Sequence, residues 1–481
     1  MPRLTSHDLI DLVLDADSFE SWDEPIDISG YSDAYQAELR TAAERAGTDE
    51  SVVTGRARMR GRPVAVVINE FGFLAGSIGR DAAARIVAAV RRATKEQIPI
   101  LASTASGGTR MQEGTPAFVK MVEISRALMD HQAAGLPYLV YLRHPTTGGV
   151  FASWGSLAHI TVGEPGALIG FLGPKVYELL EGREFPPGIQ TAENLAQRGI
   201  IDAVVTPDEL PAVVDSALGL LVDPVSESSR KRRTQMPESR RSVWDSIELT
   251  RSPDRAGVRE LLRYGSDAIV RMQGTDEGER DSTMLVAVSR LDGVPCVVVG
   301  QDRSRQTPAT QMGPAALREA RRGMRLANEL RLPLVSVIDT PGAELSPEAE
   351  QGAVAGEIAR CIAEMSTMSV PSVSVLLGQG CGGGALALLP ADVTIAGENS
   401  WLSPLPPEGA SAIVYRDVEH AEHMAEQQDV SAKRLHEQGI IHHLVAEPDD
   451  DTAESFATAM AAEVSAQLRE LMSAEPKNGA S

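Results

Sequence analysis

Two segments of the sequence share one layout, in which a proline precedes an apolar run and glycines follow it. The first, GLPYLVYLRHPTTGG, spans residues 135–149, and the second, SVPSVSVLLGQGCGGG, spans residues 369–384. Short and nearly continuous apolar runs are typical of strands buried on both faces of a sheet. Glycines at the end of such a strand allow a tight turn into the next helix. The two segments therefore predict two related strand-to-helix turns in one chain.

The similarity between the halves keeps a constant spacing. Pro99 and Pro137 each precede an apolar run in the first half, and Pro333 and Pro371 do the same in the second half with an identical separation. One constant offset in residue number therefore superimposes the two pairs. In both halves apolar runs alternate with stretches of helical periodicity, as in an α/β domain. A repeat this regular predicts two tandem copies of one α/β domain.

The segment VDPVSESSRKRRTQMPESRRS, residues 222–242, is rich in serine, proline and charge and nearly lacks large apolar residues. This composition is typical of an interdomain linker, and we interpret its basic run as part of a solvated linker and not as a nucleic-acid patch. We therefore expect a first domain at 1–222, a linker at 223–241, a second domain at 242–472 and a disordered tail at 473–481.

The overall charge and the cysteine content limit the possible functions. The net charge is −22, whereas a nucleic-acid-binding protein normally carries a basic face. Cys296, Cys361 and Cys381 are far apart and lack metal-ligand spacing, which fits a reducing cytoplasm. No apolar run approaches the roughly 18 residues of a membrane span, and no signal core is present. We predict a cytoplasmic protein that binds neither nucleic acid nor membrane.

Glycines at the ends of apolar runs are the strongest functional signal. Where a strand ends and a helix begins, free backbone N–H groups point outward and the helix dipole adds partial positive charge. Such a turn can form an oxyanion hole or an anion cradle, although a single glycine pair more often makes only a tight turn. Matching positions in two copies favour the functional interpretation. The glycines concerned are Gly107, Gly108, Gly148, Gly149, Gly342, Gly380, Gly382, Gly383 and Gly384.

Few side chains near these glycines suggest acid–base or covalent chemistry. Arg110 follows the first glycine pair and could reach a phosphate. Glu113 and Glu178 could form an acid/base pair of the hydratase kind, although nothing in their spacing demands it. We interpret His144 as positional and Cys381 as a small filler. On the helix after Gly108, the apolar stripe is predicted to pack in the core and consists of Phe118, Met121, Val122 and Leu128.

Ordered motifs in the first half resemble the β-subunit of bacterial acetyl-CoA carboxylase carboxyltransferase, over about residues 10–205. They are DLVLDADSFESWD, FGFLAGSIG, TASGGTRMQEG, GLPYLVYLRHPTTGGVFAS, VGEPGALIGFLGP and TAENLAQRGIIDAVV. The second half resembles the α-subunit of the same enzyme over about residues 242–445. Its motifs are SVWDSIELTRSPDRAGVRELL, SRLDGVPCVVVGQD, GMRLANELRLPLVSVIDTPGA, GGGALALLPAD and LSPLPPEGASAI.

The sequence departs from this family in three places. The family continues DTPGA with glycines and an aromatic residue, whereas this chain reads GAELSPEAEQG, and residues 303–313 differ from the family's basic loop. No cysteine precedes Cys296, so the zinc ribbon that usually begins the β-subunit is absent. Lys120 lies in FVKMVE, on a predicted helix, and no biotin-attachment hairpin or ATP-binding region is apparent. The departures predict a transferase component only.

The resemblance implies an α/β fold with two tandem crotonase-like domains of the ClpP/crotonase spiral type. It implies transfer of a carboxyl group from carboxybiotin to the α carbon of a short acyl-CoA, acetyl or propionyl. Gly148 and Gly149 would stabilise the thioester enolate, and Gly383, Gly384 and Ala385 would face the biotin oxygen. The spacing pairs Gly148 with Gly382, whereas the motif pairs it with Gly383. The residues expected to hold the CoA and biotin ligands around these turns are Gly107, Gly108, Arg110 and Gly342.

The resemblance also implies partners. Biotin would arrive on a separate carboxyl carrier protein supplied by a biotin carboxylase subunit, and the active site would form between the first half of one copy and the second half of another. A homodimer or higher oligomer is therefore expected. Two alternatives stay open, a malonyl-type decarboxylase on the same fold and a non-catalytic assembly subunit of a carboxylase complex. A hydratase of the wider crotonase group is a third alternative that the resemblance disfavours.

Overall fold

The computed structural model describes residues 3–230, 241–447 and 452–474. The chain separates into two compact units, unit 1 comprising Met1–Ala217 with Asp276–Gly278 and unit 2 comprising Leu218–Thr275 with Glu279–Ser481. The division falls inside a helix that continues to Val222, the predicted end of the first domain. Part of the predicted linker, residues 231–240, and the predicted tail from residue 475 lie outside the described residues.

Unit 1 is built on an eight-stranded sheet in the order β1-β2-β3-β4-β5-β6-β8, with β7 paired to β5. The first three strands are antiparallel and the remaining pairs are parallel. The strands are β1 Glu20–Ser21, β2 Val52–Met59, β3 Arg62–Asn69, β4 Ile100–Ser106, β5 Tyr138–Thr147, β6 Ile160–Gly163, β7 Ile169–Gly170 and β8 Ala203–Val204. The helices are α1 Ser6–Val13, α2 Asp33–Ala46, α3 Arg80–Glu96, α4 Gly114–Ala133, α5 Pro174–Glu181, α6 Ala192–Gln197 and α7 Leu210–Val222.

Unit 2 repeats this sheet in the order β9-β10-β11-β12-β13-β14-β16, with β15 paired to β13. Its strands are β9 Ser266–Met272, β10 Met284–Leu291, β11 Val294–Gln301, β12 Leu334–Thr340, β13 Ser372–Cys381, β14 Val393–Gly397, β15 Trp401–Ser403 and β16 His443–Val445. Its helices are α8 Val243–Arg251, α9 Val258–Gly265, α10 Pro314–Leu330, α11 Pro347–Gln351, α12 Val354–Ser366, α13 Gly382–Leu386, α14 Pro407–Val414, α15 Ala421–Gln427, α16 Ala432–Glu437 and α17 Ala453–Ser473.

The two sheets agree residue for residue where the prolines predicted a repeat. The N–H of Ile100 donates to the carbonyl of Pro137 at 2.9 Å, and the N–H of Leu334 donates to the carbonyl of Pro371 at 2.9 Å. The constant offset between the halves therefore relates hydrogen-bonded positions and not only sequence letters. Two parallel-sheet domains of one topology are present, as the sequence predicted.

The central strands are buried on both faces, which explains their apolar sequences. Every residue of β4 and of β12 is buried. In unit 1 one face of the sheet packs on α3 and α4 through Ile86, Ile124 and Leu128. In unit 2 the core includes residues of α9 and α17, among them Leu262 and Met460. With both faces covered, the carboxyl ends of the parallel strands are the part of each sheet that can meet a ligand.

The prediction for the helix after Gly108 is only half correct. Met121 and Leu128 of α4 are buried in the core, as expected. Phe118 and Val122, which were predicted to join them, are each 60% exposed. The helix runs over 20 residues and turns a second apolar face outward, beyond the stripe that packs on the sheet. A helical stripe in the sequence shows that residues share a face but not what covers it.

Candidate functional site at two glycine turns

The glycine-rich turns follow the same strand in each unit. Ser106 of β4 pairs with Thr146 of β5, and Thr340 of β12 pairs with Gly380 of β13. Gly148 follows Thr146 by two residues, and Gly382 follows Gly380 by two residues, so Gly148 and Gly382 occupy corresponding positions in the two units. Both have left-handed backbone angles, φ +65° and +62°, which favour glycine. The structure therefore pairs Gly148 with Gly382, as the spacing predicts, and not with Gly383 as the motif suggests.

In unit 1 the turn leaves three consecutive N–H groups without an acceptor among the described residues. Gly148 donates its own N–H to the carbonyl of Phe171 at 2.9 Å, so it is not available to a ligand. Among the hydrogen bonds of the described residues, none of the N–H groups of Gly149, Val150 and Phe151 is a donor. Gly148 thus shapes the turn, and the N–H groups that follow it are the candidate donors. Sequence reasoning missed Val150, because a backbone donor carries no residue-type signal.

Unit 2 has the equivalent donors at the start of α13. Gly382, Gly383 and Gly384 are the first three residues of this helix, so their N–H groups precede the helical ladder. Ala385 is the fourth residue, and among the hydrogen bonds of the described residues its N–H is not a donor either. Gly383 and Gly384 correspond to Gly149 and Val150. Gly383, Gly384 and Ala385 thus remain the predicted donors of unit 2.

In each unit a side chain donates a hydrogen bond to a backbone carbonyl of the glycine turn and so holds the turn in place. The sequence did not identify these side chains. In unit 1 the hydroxyl of Ser153 donates to the carbonyl of Gly149 at 2.5 Å. In unit 2 the fully buried amide of Gln301 donates to the carbonyl of Gly384 at 2.7 Å and accepts from the N–H of Asp339 at 3.0 Å. A helix as short as α13, with three glycines, has little rigidity of its own. Gln301 therefore fastens α13 to the end of β12.

The remaining predicted glycines direct their N–H groups at protein acceptors. Gly107 donates to the carbonyl of Ala75 at 2.9 Å, Gly108 donates to Ser106 Oγ at 3.0 Å, and Gly342 donates to Thr340 Oγ1 at 3.1 Å. The structure therefore does not support backbone donation from these three glycines to a ligand. Their positions are explained by packing. A Cβ on Gly108 would lie 3.4 Å from Gly148 Cα, so the two turns of unit 1 touch.

Arg110 does not reach the surface where a CoA phosphate could meet it. It is 1% exposed, and its guanidinium forms a short bidentate ion pair with Glu50 and a further ion pair with Glu113. Burial alone would lower the pKa of Arg110, but the hydrogen bonds that it donates to the Glu50 carboxylate raise its pKa above the ordinary value. This burial argues against the predicted contact with CoA. Arg110 holds the turn after β4 to the segment before β2.

The other polar side chains near the turns also have structural roles. Glu113 is buried and accepts from the Tyr35 hydroxyl at 2.8 Å and the Arg80 N–H at 2.7 Å. Although burial opposes it, these hydrogen bonds lower the pKa of Glu113, which argues against its use as a hydratase acid. His144 Nδ1 accepts from the N–H of Leu168 at 3.1 Å, a positional role. Burial raises the pKa of the Cys381 thiol to about 12, which excludes a thiolate nucleophile.

The chemistry available at both turns is therefore stabilisation of negative charge by backbone donors. In the described residues no cluster of three or more histidine, cysteine or acidic side chains could hold a metal ion. Nor is any helix of that part of the chain long and apolar enough to cross a membrane. Two donors aimed at one oxygen form an oxyanion hole, as in enzymes that pass through enolates or tetrahedral intermediates. The fold and its two turns define a tandem crotonase-like enzyme.

Comparison with known proteins identifies the family. Residues 2–473 match the family described as carboxyl transferase domain. The chain is 55% identical over 474 residues to the probable biotin-dependent acyl-coenzyme A carboxylase beta3 subunit of Mycobacterium tuberculosis, covering 98% of this chain and 95% of the relative. It is 34% identical over 482 residues to the acetyl-coenzyme A carboxylase carboxyl transferase subunits beta/alpha of Saccharopolyspora erythraea, covering 97% and 84%.

A solved structure shows the same fold. The transcarboxylase 12S hexamer with methylmalonyl-coenzyme A and methylmalonic acid bound aligns with a TM-score of 0.78 at 20% identity, over 100% of this chain and 91% of that one. A single-chain, multi-domain long-chain acyl-CoA carboxylase aligns with a TM-score of 0.74 at 19% identity, over 97% of this chain and 46% of that one. The chain belongs to the carboxyl transferase family and is a carboxyltransferase of the biotin-dependent acyl-CoA carboxylase type.

Proposed function

We propose that the protein transfers a carboxyl group from carboxybiotin, carried by a separate protein, to the α carbon of a short acyl-CoA. One observation carries this assignment. Each unit ends the corresponding strand in a turn with adjacent N–H groups that have no acceptor among the described residues; they include Gly149 and Val150 in unit 1 and Gly383, Gly384 and Ala385 in unit 2. Carboxyl transfer develops charge on two oxygens, so it needs two such sites, whereas a hydratase needs one and an acid/base pair besides.

In unit 1 the donors would act on the acyl-CoA. Removal of the α-proton places negative charge on the thioester oxygen, and the N–H groups of Gly149 and Val150 would hydrogen-bond that oxygen. Removing one donor of an oxyanion hole typically costs about 2.7–4 kcal/mol. Glycine is required at position 149, because a Cβ there would lie 3.1 Å from Thr109 Oγ1 and 3.7 Å from Met121 Cγ. We propose acetyl or propionyl as the acyl group, the short chains that the family resemblance implies.

In unit 2 the donors would hold the biotin side. The fit rests on small residues at the start of α13, whose N–H groups are free and whose position Gln301 fixes. When bound, carboxybiotin supplies the carboxyl group and an oxygen that gains charge as the group leaves. Gly383 and Gly384 would hydrogen-bond that oxygen. We assign no protein side chain as the base, because Glu113 and His144, the candidates beside the unit 1 turn, are engaged in the hydrogen bonds described above.

We further propose that the working form is a homodimer or a larger homo-oligomer, in which unit 1 of one copy faces unit 2 of another. Unpartnered apolar helices support this. Phe118 of α4 and Leu179 of α5 are 60% and 85% exposed, and on α14, the counterpart of α5, Ile413 is 69% exposed. Exposed apolar patches of this kind mark protein–protein contacts. A biotin carboxylase and a biotin carboxyl carrier protein would be the other partners.

Two further proposals concern the use of the product and the cellular compartment of the protein. With acetyl-CoA as the acceptor the product is malonyl-CoA, the carboxylated unit that fatty acid biosynthesis consumes. The three cysteines, Cys296, Cys361 and Cys381, are all free and buried. Free thiols are the rule in a reducing compartment, which supports a cytoplasmic location.

A carboxyl-exchange assay tests the proposed function. Purified protein is incubated with malonyl-CoA or methylmalonyl-CoA and a free biotin derivative, and loss of the carboxyl group is followed. Biotin-dependent loss is expected, and the faster substrate identifies the acyl group. Loss without biotin would instead identify a decarboxylase. No loss from a folded oligomer that binds acyl-CoA would refute catalysis and favour a subunit that only organises a complex.

A further inference from the structure

Unit 2 contains an open pocket beside its connection from β9 to β10. The corresponding connection in unit 1, from β1 to β2, is longer. In unit 1 the connection from β1 to β2 runs from residue 22 to residue 51 and includes α2. Its residues pack on Phe73 and reach α3, where the buried Arg85 donates to Asp49 and to the carbonyl of Glu24. The corresponding connection from β9 to β10 runs only from residue 273 to residue 283 and has no helix, and its residues Asp276–Gly278 are grouped with unit 1. A pocket of about 350 Å³ lies beside this shorter connection.

Arginines dominate the charged lining of this pocket. They come from four separate parts of unit 2, namely α9, β9, the connection from β9 to β10, and the turn after β11. The four arginines are Arg259, Arg271, Arg280 and Arg305. Within the part of the chain that the structure describes, the side chains of Arg271, Arg280 and Arg305 form no hydrogen bond or ion pair, and all three are exposed. Three unpaired guanidinium groups at one pocket are unusual in a chain of net charge −22.

The three acidic residues of the pocket are already engaged. Asp302 is buried and accepts from Arg259 Nε at 2.6 Å, which orients that guanidinium. Asp281 Oδ1 accepts from the N–H of Thr283 at 2.8 Å. Glu319 accepts from the N–H of Asp281 at 2.5 Å, and its burial raises its pKa to about 8, so it is neutral at pH 7. Asp302 therefore orients Arg259, Arg280 keeps an electrostatic interaction with Glu319, and the arginines of the lining still outnumber its acids.

We propose that this pocket binds a small phosphorylated ligand with at least two phosphate groups. Guanidinium groups form bidentate, charge-assisted hydrogen bonds with phosphate oxygens, and several of them around one cavity fit a polyanion. None of the residues of the glycine turns lines the pocket, so the site is separate from the proposed carboxyl-transfer chemistry. It goes beyond the proposed function, and its failure would leave that function untouched.

Calorimetric titration with sodium pyrophosphate at low ionic strength tests the proposal. Saturable binding is expected, and it should weaken as salt is added, because exposed charges are screened. The variants Arg271→Ser and Arg280→Ser should each weaken binding about tenfold, the loss expected for one charge-assisted contact. Arg263→Ser is the matched control, because Arg263 is exposed on α9, one turn from Arg259, and does not line the pocket.

Thermal unfolding of each variant shows that loss of binding is not loss of fold. No saturable heat with millimolar pyrophosphate in the wild-type protein would overturn the proposal, and so would an equal loss in Arg263→Ser. Competition then identifies the source of the phosphates. Displacement of pyrophosphate by ADP but not by CoA would support a separate phosphorylated ligand, whereas displacement by CoA would support the phosphates of the thioester substrate as the occupant.

Discussion

Replacing Gln301 with leucine tests whether the glycine helix α13 must be held in place. Leucine has a similar size but can neither donate to the Gly384 carbonyl nor accept from the Asp339 N–H. Both backbone groups would remain buried without a partner. An unsatisfied buried group costs about 1–3 kcal/mol, so the two together amount to about 2–6 kcal/mol. The chain can reduce this loss only by shifting α13 toward solvent.

A shift of α13 moves the N–H groups of Gly383 and Gly384 away from the oxygen that they are proposed to hold. If one donor is lost, the cost is about 2.7–4 kcal/mol, so we expect a turnover number lower by about 100-fold to 1,000-fold. The assay is the biotin-dependent exchange of malonyl-CoA, measured over a range of concentrations of each substrate. The KM for malonyl-CoA should stay unchanged, because its proposed donors are in unit 1.

Asn69→Leu is the matched control, because Asn69 is the counterpart of Gln301 in unit 1. Its amide is also buried, and it bonds the carbonyls of Ser51 and Gly76 instead of a glycine-turn carbonyl. We expect this variant to lose stability but to keep its turnover number per folded molecule. A Gln301→Leu protein that folds and exchanges carboxyl groups within about twofold of the wild-type rate would refute the reasoning.

Three other predictions follow from the described contacts. Arg110→Met should destabilise the protein by about 3–5 kcal/mol in a urea titration, because it leaves Glu50 buried without its partner. An increased KM for acyl-CoA at unchanged stability would contradict this and would support a role of Arg110 in CoA binding. Burial lowers the pKa of His131 and of His159 to about 4 from 6.5, so folding stability should be full above pH 6.5 and should fall as the pH drops toward 4. The loss is at most about 3 kcal/mol for each histidine, and urea midpoints that are equal at pH 7.5 and pH 5 would contradict it. Gly149→Val should abolish exchange without unfolding the chain, because the new side chain would crowd Thr109 and block the proposed oxyanion site; circular dichroism checks the fold, and retained exchange would rule the site out.

The repeat and the alternation of strands and helices could be predicted from the sequence, because buried parallel strands are apolar throughout and prolines mark their starts. The positions of the glycine turns could be predicted for the same reason. The individual donors could not. Gly148 looks equivalent to Gly149 in the sequence, but its N–H is bonded to the carbonyl of Phe171, which lies well beyond the turn, after β6 and β7. Hydrogen bonds between distant backbone groups leave no pattern in residue types.

Side chains were harder to interpret for a related reason. Arg110 follows a glycine pair, and nothing nearby in the sequence shows that its partner is Glu50, far earlier in the chain. Phe118 and Met121 lie on neighbouring positions of one helix, and only the sheet beneath them decides which is covered. Gln301 and Ser153 are common polar residues whose importance lies in the carbonyl that each one holds. Tertiary partners, and not local sequence, decide these roles.

The unequal connections in the two units have a consequence for how such chains change. Two copies of one fold allow one copy to lose or gain a segment while the other keeps the ancestral arrangement. The hairpin of β2 and β3 and the hairpin of β10 and β11 keep the same pairing, although the connections that lead into them differ greatly in length. This connection is therefore a place where segments can be exchanged without disturbing strand register. A graft of residues 22–51 between β9 and β10 is therefore expected to leave the pairing of β10 with β11 unchanged.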